Sequence, residues 1–253
     1  MLPAVPQTPS LEHVTPMVTV IQHQDDVPLG LLAETLADVD VRIVRPDAGD
    51  PLPTAAEIDA LIVLGGTMAA IDDAEHPWLP AVRDLLADAV DRDVPTLAIC
   101  LGAQMLALAG GGQLEVSAPI GPERGVVEVR MRPDAYKDPV LGPLAEAIGR
   151  DVPVPSMHSD AITVLPKSAT WLASSLQYPY QAFRLRSALG LQFHPEADEE
   201  IMRRWAASEG LDPEELASGY DSHRESLAMV AKQVGVAFTA QIRRQVSAAG
   251  FGL

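Results

Sequence analysis

The chain has 253 residues, 47% of them hydrophobic and 4% aromatic, and its 18 Lys and Arg against 35 Asp and Glu give a net charge of −17. This length and apolar content suffice for one α/β domain with an aliphatic core. The acidity, with no basic run, argues against nucleic acid or an anionic membrane surface as a partner. The only cysteine, Cys100, excludes an internal disulfide and suits a reducing compartment.

The first residues carry no sign of a targeting segment. Residues 1–13 lack the basic start and apolar centre of a signal peptide, and their prolines predict a flexible N-terminal arm. No run approaches the roughly 20 apolar residues of a membrane span. We therefore expect a cytoplasmic protein in which residues 14–253 form a single domain.

Strand-like and helix-like segments alternate between residues 17 and 109. Short apolar runs predict strands, and segments with apolar residues at helical spacing predict helices. In chain order the strands are 17–22, 41–44, 60–64 and 96–99, and the helices are 29–36, 78–90 and 101–109. This alternation predicts an α/β fold, with a mostly parallel central sheet flanked by helices.

The second half of the chain has a different pattern. From residue 113 to 176 it consists of shorter β-like pieces, which predict a small antiparallel portion at one edge of the sheet. The pieces are 125–131, 161–165 and 170–174, and a hairpin of 181–186 and 188–193 follows them. The last segment, about 222–248, has one apolar stripe, which predicts a C-terminal helix packed on the core.

Cys100 ends the apolar run of a predicted strand and is followed by Leu101, Gly102 and a helix. Such a turn lifts one side chain out of the sheet, beside free N–H groups at a helix N-terminus. The positive end of the helix dipole favours the thiolate, which is the nucleophilic form. A lone cysteine in an apolar segment is more often a small core residue, so Cys100 alone does not decide the function.

His194 follows another short apolar strand, in the run Gln192-Phe193-His194-Pro195-Glu196. Proline stops the strand, so the imidazole and the carboxylate project from a strand end into a loop. Together with Cys100, they supply the groups needed for acyl transfer through a thioester. The combination favours a catalytic cysteine over a structural one.

Two other kinds of site are weaker alternatives. A metal could be held by His158, Asp160, His194 and Glu196, but the His-x-Asp and His-x-Glu spacings are not a zinc pattern. The glycines at 65–66 and 110–112 lack the lysine of a phosphate-binding loop, so we interpret them as turns. The sequence therefore predicts neither a metal nor a cofactor.

Over most of its length, roughly residues 18–196, the chain resembles the class I (triad-type) glutamine amidotransferases. The motifs are Leu64–Met68, Ile99–Gln104 and Gln192–Glu196, which are similar in turn to that family's oxyanion loop, nucleophile turn and His/Glu motif. Segments 72–79 and 181–183 are most similar to its free-standing, GMP-synthase-like members. The resemblance implies a flavodoxin-like fold.

The resemblance also implies roles for individual residues. Cys100 would be the nucleophile, His194 the base and then the acid, and Glu196 the residue that orients the imidazole. The backbone N–H groups of Gly66 and Leu101 would form the oxyanion hole. The residues expected at the substrate are Gln104, His158, Ser159 and Asp160. The substrate would be L-glutamine or a γ-glutamyl amide, cleaved through a γ-glutamyl thioester.

Two positions depart from the family pattern. Thr67 stands where a proline is common after the two glycines, which predicts a less rigid oxyanion loop. Ala98 replaces a glycine often found two residues before the cysteine, which predicts tighter packing. Neither departure removes a catalytic atom.

Three functions stay open at this point, because no synthetase domain is apparent in the chain. The first is a glutaminase that passes ammonia to a separate synthetase partner. The second is a free-standing hydrolase of γ-glutamyl amides or peptides, with water as the only acceptor. The third is a non-catalytic binding protein on the same fold. Dependence on a partner enzyme distinguishes the first two.

Overall fold

The computed structural model describes residues 15–250, so the arm predicted for residues 1–13 lies outside the described part of the chain. The strands are β1 (Met17–Ile21), β2 (Asp40–Val44), β3 (Ala60–Val63), β4 (Thr96–Ile99), β5 (Gln113–Glu115), β6 (Glu123–Met131), β7 (Asp151–His158), β8 (Ala161–Val164), β9 (Thr170–Ser174), β10 (Ala182–Leu185) and β11 (Ala188–Leu191). The α-helices are α1 (Leu79–Asp91), α2 (Leu101–Ala109), α3 (Leu141–Ile148), α4 (Glu199–Ser208) and α5 (Pro213–Gly250).

Nine of these strands form one mixed sheet in the order β2-β1-β3-β4-β11-β10-β9-β6-β7. Neighbours from β2 to β11 run parallel, whereas neighbours from β11 to β7 run antiparallel. Strands β5 and β8 form a separate antiparallel pair. The predicted α/β class is thus confirmed, with the antiparallel portion at one edge and the β10–β11 hairpin joining the two parts.

Two apolar clusters cover the two faces of the sheet. Consecutive residues of β3 alternate between the clusters: Leu61 and Val63 pack with α1 and α2, while Ala60 and Ile62 pack on the face that α5 covers. A strand buried on both faces needs apolar residues at every position, which explains its uninterrupted apolar sequence. Among the described residues, no helix is both long and apolar enough to cross a bilayer.

Several elements differ from the sequence predictions, among them helix α3 and strand β5, which were not predicted within residues 113–176. The helix predicted at 29–36 is a 3-10 helix, Gly30–Leu36, and the C-terminal helix is longer than predicted because α5 begins at Pro213. Strand β7 was not predicted, because Pro153 and Pro155 interrupt its pattern. Proline is tolerated there because β7 is an edge strand, paired only with β6.

Helix α4 was also not predicted, and it carries side chains of the site. Its N-cap residue is Asp198, whose carboxylate accepts a hydrogen bond from the backbone N–H of Ile201 at 2.7 Å. Glu199 and Glu200 in its first turn stabilise the helix, because their negative charges lie at the positive end of the helix dipole. These acidic residues obscured a short apolar face that includes Trp205.

Candidate active site

Cys100 occupies a sharp turn between β4 and α2. Its backbone has φ +50° and ψ −106°, a region that residues with a side chain rarely adopt, and its N–H donates to the carbonyl of Leu191 at 2.7 Å. Helix α2 lies so close to β3 that a Cβ on Gly102 would be 2.3 Å from the carbonyl oxygen of Val63. The turn therefore fixes the thiol at the carboxyl ends of the parallel strands, where α/β proteins bind ligands.

His194 and Glu196 form a buried pair beyond the end of β11. Nδ1 of His194 lies 2.6 Å from Oε1 of Glu196, whose carboxylate is fully buried. The other carboxylate oxygen of Glu196 has no hydrogen-bond partner among the described residues. A buried carboxylate with so few donors needs a positive charge nearby, and the imidazole is placed to supply it.

The charge state of His194 follows from these neighbours. Burial acts to lower the pKa of His194, but the charges of Glu196 and Cys100, with hydrogen bonds to both, outweigh it and raise the pKa from 6.5 to about 10. The imidazole is therefore protonated at neutral pH, beside the sulfur of Cys100. This arrangement suits a nucleophilic cysteine beside a proton donor.

The segment after β1 packs against the backbone of Glu196. Gly30 has φ +48°, and a Cβ there would be 2.0 Å from the carbonyl oxygen of Glu196. The next residue, Leu31, donates its N–H to that same oxygen at 2.9 Å. Only glycine permits this approach, so Gly30 fixes the backbone on which Glu196 lies.

The predicted oxyanion donors lie in the loop after β3 and at the start of α2. Within residues 15–250, the backbone N–H groups of Gly66 and Leu101 donate to no protein acceptor, so both are free for a ligand. A Cβ on Gly66 would be 2.8 Å from the Leu101 side chain. Leu101 is the first residue of α2, where N–H groups have no intrahelical acceptor.

Thr67 is tied in place by hydrogen bonds. Its N–H and its hydroxyl donate to Oε1 of Gln24, at 2.9 and 3.0 Å. A proline could make neither bond, because it has no N–H and no hydroxyl. The amide of Gln24 in turn donates to Asp26 at 2.5 Å. The predicted oxyanion loop is thus anchored to the loop after β1.

The predicted substrate residues line one cleft of about 560 Å³ that also contains Cys100, Gly66 and His194. They are Gln104, His158, Ser159 and Asp160. Their hydrogen bonds converge on one atom, because Nδ1 of His158 and Nε2 of Gln104 lie 2.9 and 3.2 Å from the carbonyl oxygen of Asp160. His158 and the carbonyl of Asp160 thus form a hydrogen-bonded floor of the cleft, with the other His158 nitrogen 3.2 Å from Oε2 of Glu123.

Several residues of the site were not assigned a role from the sequence. Gln192 donates from Nε2 to the Cys100 sulfur at 3.5 Å and lay inside the His/Glu motif without an assigned role. The rest of the lining comes from the loop after β1 and from α4. These residues are Gln24, Asp26, Val27, Trp205, Ser208 and Glu209. Nothing in their local sequence marks them, because tertiary packing alone places them at the cleft.

The side chains of Asp72, Glu75 and His76 could meet at a cation, since their ligand atoms lie within 4.8 Å of one another. None of the three lines the cleft. Exposed acidic groups commonly lie together on an acidic protein, and this chain has a net charge of −17.

The fold and this site define a class of protein. The glutamine amidotransferase class I family model matches residues 31–205, and the chain belongs to that family. A glutamine amidotransferase from Methylobacillus flagellatus has a similar solved structure, with a TM-score of 0.79 and 26% sequence identity. The superposition covers 90% of this chain and 96% of that one.

Two curated relatives are similar to this chain over only part of their length. A glutamine-hydrolysing GMP synthase of Christiangramia forsetii is 33% identical over 139 residues, which are 53% of this chain and 24% of that protein. Gamma-glutamyl peptidase 5 of Arabidopsis thaliana is 30% identical over 145 residues, which are 57% of this chain and 56% of that protein. The chain thus spans about a quarter to a half of these relatives.

Proposed function

We propose that this protein hydrolyses the γ-carboxamide of glutamine, or of an N-substituted glutamine, through a thioester on Cys100. The observation that supports the proposal is the meeting of Cys100, His194 and Gly66 in one cleft, with Glu196 buried against the His194 ring. The unused N–H group of Leu101 directly follows Cys100 in the chain. Membership of the class I glutamine amidotransferase family supports it. A non-catalytic binding protein would not need a cysteine, a buried His–Glu pair and unused N–H groups close together.

The reaction begins with attack of the Cys100 thiolate on the γ-carbonyl carbon. The oxygen gains negative charge, which the N–H groups of Gly66 and Leu101 stabilise; one such donor typically contributes about 10²–10³ in rate. The C–N bond then breaks as His194 gives its proton to the departing nitrogen. Glu196 holds the ring through Nδ1, so Nε2 is the atom that faces the reaction.

The second half returns the enzyme to its starting state. His194, now neutral, takes a proton from water, and the resulting hydroxide attacks the thioester. Glutamate leaves, and Cys100 is again a thiolate beside an imidazolium. The balance is one amide and one water consumed, and one glutamate and one amine or ammonia released.

Two fates of the nitrogen remain as candidates. In the first, ammonia from glutamine passes to a separate synthetase, a role in keeping with the similarity to a glutamine-hydrolysing GMP synthase. In the second, the protein hydrolyses γ-glutamyl amides alone, in keeping with the similarity to a γ-glutamyl peptidase. The cleft of about 560 Å³ lies within the roughly 300–1,000 Å³ of ordinary ligand sites, so it has room for the larger amides of the second candidate.

The test is release of ammonia or amine by the purified protein from L-glutamine and neutral γ-glutamyl amides, with Cys100→Ala as control. Covalent labelling of Cys100 by a glutamine-like diazoketone is followed by intact mass. We expect labelling and turnover that both disappear in Cys100→Ala. Labelling with turnover that needs an added synthetase would select the first candidate. Absence of both labelling and turnover would establish a binding protein.

A further inference from the structure

The position of His194 fixes where the leaving amine must lie. The departing nitrogen receives its proton from this ring, so the amine substituent extends along the wall beside it. Trp205 forms that wall, since its ring centroid is 4.6 Å from that of His194. The indole Nε1 donates to the backbone carbonyl of Asp26 at 2.8 Å, which brings the loop after β1 to the same side.

This wall changes in polarity from the inside to the rim. Val27 and Trp205 are buried and apolar, and a Cβ on Gly65 would touch both the His194 ring and Val27. Asp26 is half-buried and Glu209 is exposed, and both line the same cleft. An amine that follows this wall thus passes apolar surface first and carboxylates next.

No lysine or arginine that lines the cleft pairs with the rim carboxylates of Asp26 and Glu209 among the described residues. Asp26 accepts one hydrogen bond from the neutral amide of Gln24, and forms no ion pair within residues 15–250. Glu209 pairs with Arg124 at 2.6 Å, but Arg124 does not line the cleft. No Lys or Arg is among the described residues that line it. At this rim the carboxylate of Asp26 is therefore available to a cation, whereas Glu209 shares its charge with Arg124.

We propose that the leaving group is a linear amine with a second, positively charged end, so that the preferred substrate is a γ-glutamyl diamine. A methylene chain packs on Val27 and Trp205, and the terminal ammonium meets Asp26 and Glu209. This inference rests on the proposed function, whose second candidate it makes specific. Free glutamine, which has no such chain, leaves this wall empty.

The reaction is the hydrolysis already described, with a different leaving group. The Cys100 thioester forms as the C–N bond breaks, and the near amine of the diamine leaves with the proton from His194. Water then hydrolyses the thioester to glutamate. The far ammonium takes part in binding only, and its charge does not change.

Three γ-glutamyl amides of nearly equal length test the proposal: those of diaminobutane, pentylamine and aminobutanoic acid. They differ in the charge at the far end, which is positive, neutral or negative. We expect kcat/KM for the diaminobutane amide to exceed that for the pentylamine amide about tenfold, the size of one or two partly screened ion pairs. The ratio should fall as ionic strength rises.

Asp26→Asn tests the source of the preference. Asparagine keeps an oxygen that can accept from Gln24, so the oxyanion loop keeps its anchor. In Asp26→Asn, we expect the ratio of kcat/KM for the diaminobutane amide to that for the pentylamine amide to fall toward one. Glu209→Gln should lower this ratio less, since Glu209 is exposed. The matched control is Asp25→Asn, because Asp25 is 90% exposed and pairs with Arg45 outside the cleft. It should leave the ratio unchanged.

The outcomes separate this inference from the proposed function. Cys100-dependent turnover with equal kcat/KM for the charged and neutral amides, or with preference for the anionic amide, would overturn the inference and retain the hydrolase. A preference that survives Asp26→Asn and Glu209→Gln together would also overturn it. Absence of turnover and of Cys100 labelling would instead overturn the proposed function. Thermal unfolding of each variant checks that it is folded.

Discussion

The carboxylate of Glu123 touches the ring of His158 from behind the cleft floor, with 3.2 Å between Oε2 and Nε2. Both residues are buried, and the same carboxylate accepts from Ser175 and Gln181 at 2.6 Å each. The opposite ring nitrogen of His158 donates to the carbonyl of Asp160. The side chain on β6 thus orients the cleft floor through one imidazole.

Glu123→Gln should raise KM about tenfold and change kcat much less. A neutral amide has one acceptor oxygen for the three groups that contact this carboxylate, so the ring loses its orientation and with it the carbonyl of Asp160, while the thiol and His194 keep their places. Steady-state kinetics with the preferred amide measure the separate effects on KM and kcat. Glu128→Gln, on the same strand but exposed, is the control. A fall in kcat with KM unchanged would contradict this positioning role.

The pH dependence of turnover should show the pairing of His194 with Glu196. Because the pKa of His194 is raised to about 10, its proton is available throughout the neutral range. We expect the alkaline limb of kcat/KM to fall near pH 10. Glu196→Gln removes one of the charges that raise this pKa, so the limb should move toward neutral pH. An unchanged limb in that variant would mean that another group sets it.

Much of the parallel half of the fold was predictable because its central strands, β3 and β4, are buried on both faces. The apolar runs at β3 and β4 have no other explanation, and the motifs that follow them lie at one edge of the sheet. Those loops contain Cys100, Gly66 and His194, so the centre of the site followed from local sequence. Their meeting in space is a consequence of parallel strand order.

The outer wall of the cleft was not predictable, for two physical reasons. Helix α4 has a charged face that hides its apolar positions, so Trp205 had no assigned partner. Asp26 lies in a loop whose sequence has no distinguishing motif. Its carbonyl accepts a hydrogen bond from Trp205, whose ring packs against His194, and this contact places Asp26 on the same side of the cleft. The residues proposed to select the amine therefore depend on tertiary packing, whereas the residues proposed to break the bond depend on turn sequence.

The backbone of Cys100 predicts an unusual stability difference. At φ +50°, any side chain is strained by about 1–3 kcal/mol, and glycine is not. Glycine costs about 0.5–1 kcal/mol in the unfolded chain, so Cys100→Gly should be more stable than Cys100→Ala by about 1 kcal/mol. Urea unfolding measures the difference. At Ala103, in regular helix, Ala→Gly should be destabilising. A less stable Cys100→Gly would show that the turn is unstrained.

His23 should make the protein less stable as the pH falls below neutral. Trp78 donates to Nδ1 of His23 at 3.3 Å, and burial lowers the pKa of His23 from 6.5 to about 4, against the charge of Asp47. Between these two values the unfolded chain binds a proton that the folded chain does not. The contribution of His23 is therefore complete above pH 6.5 and is lost as the pH falls to 4.

The size of this loss is about 3 kcal/mol, since one pKa unit corresponds to about 1.4 kcal/mol. His23→Gln keeps an acceptor for Trp78 but cannot take up a proton. We expect the free energy of unfolding, measured in urea at pH 7 and pH 4, to fall less in His23→Gln than in the unmodified protein. The control is His223→Gln, on the exposed side of α5, which should behave as the unmodified protein does. Equal losses in all three would mean that other groups, chiefly carboxylates that are ionised in the fold, account for the acid sensitivity.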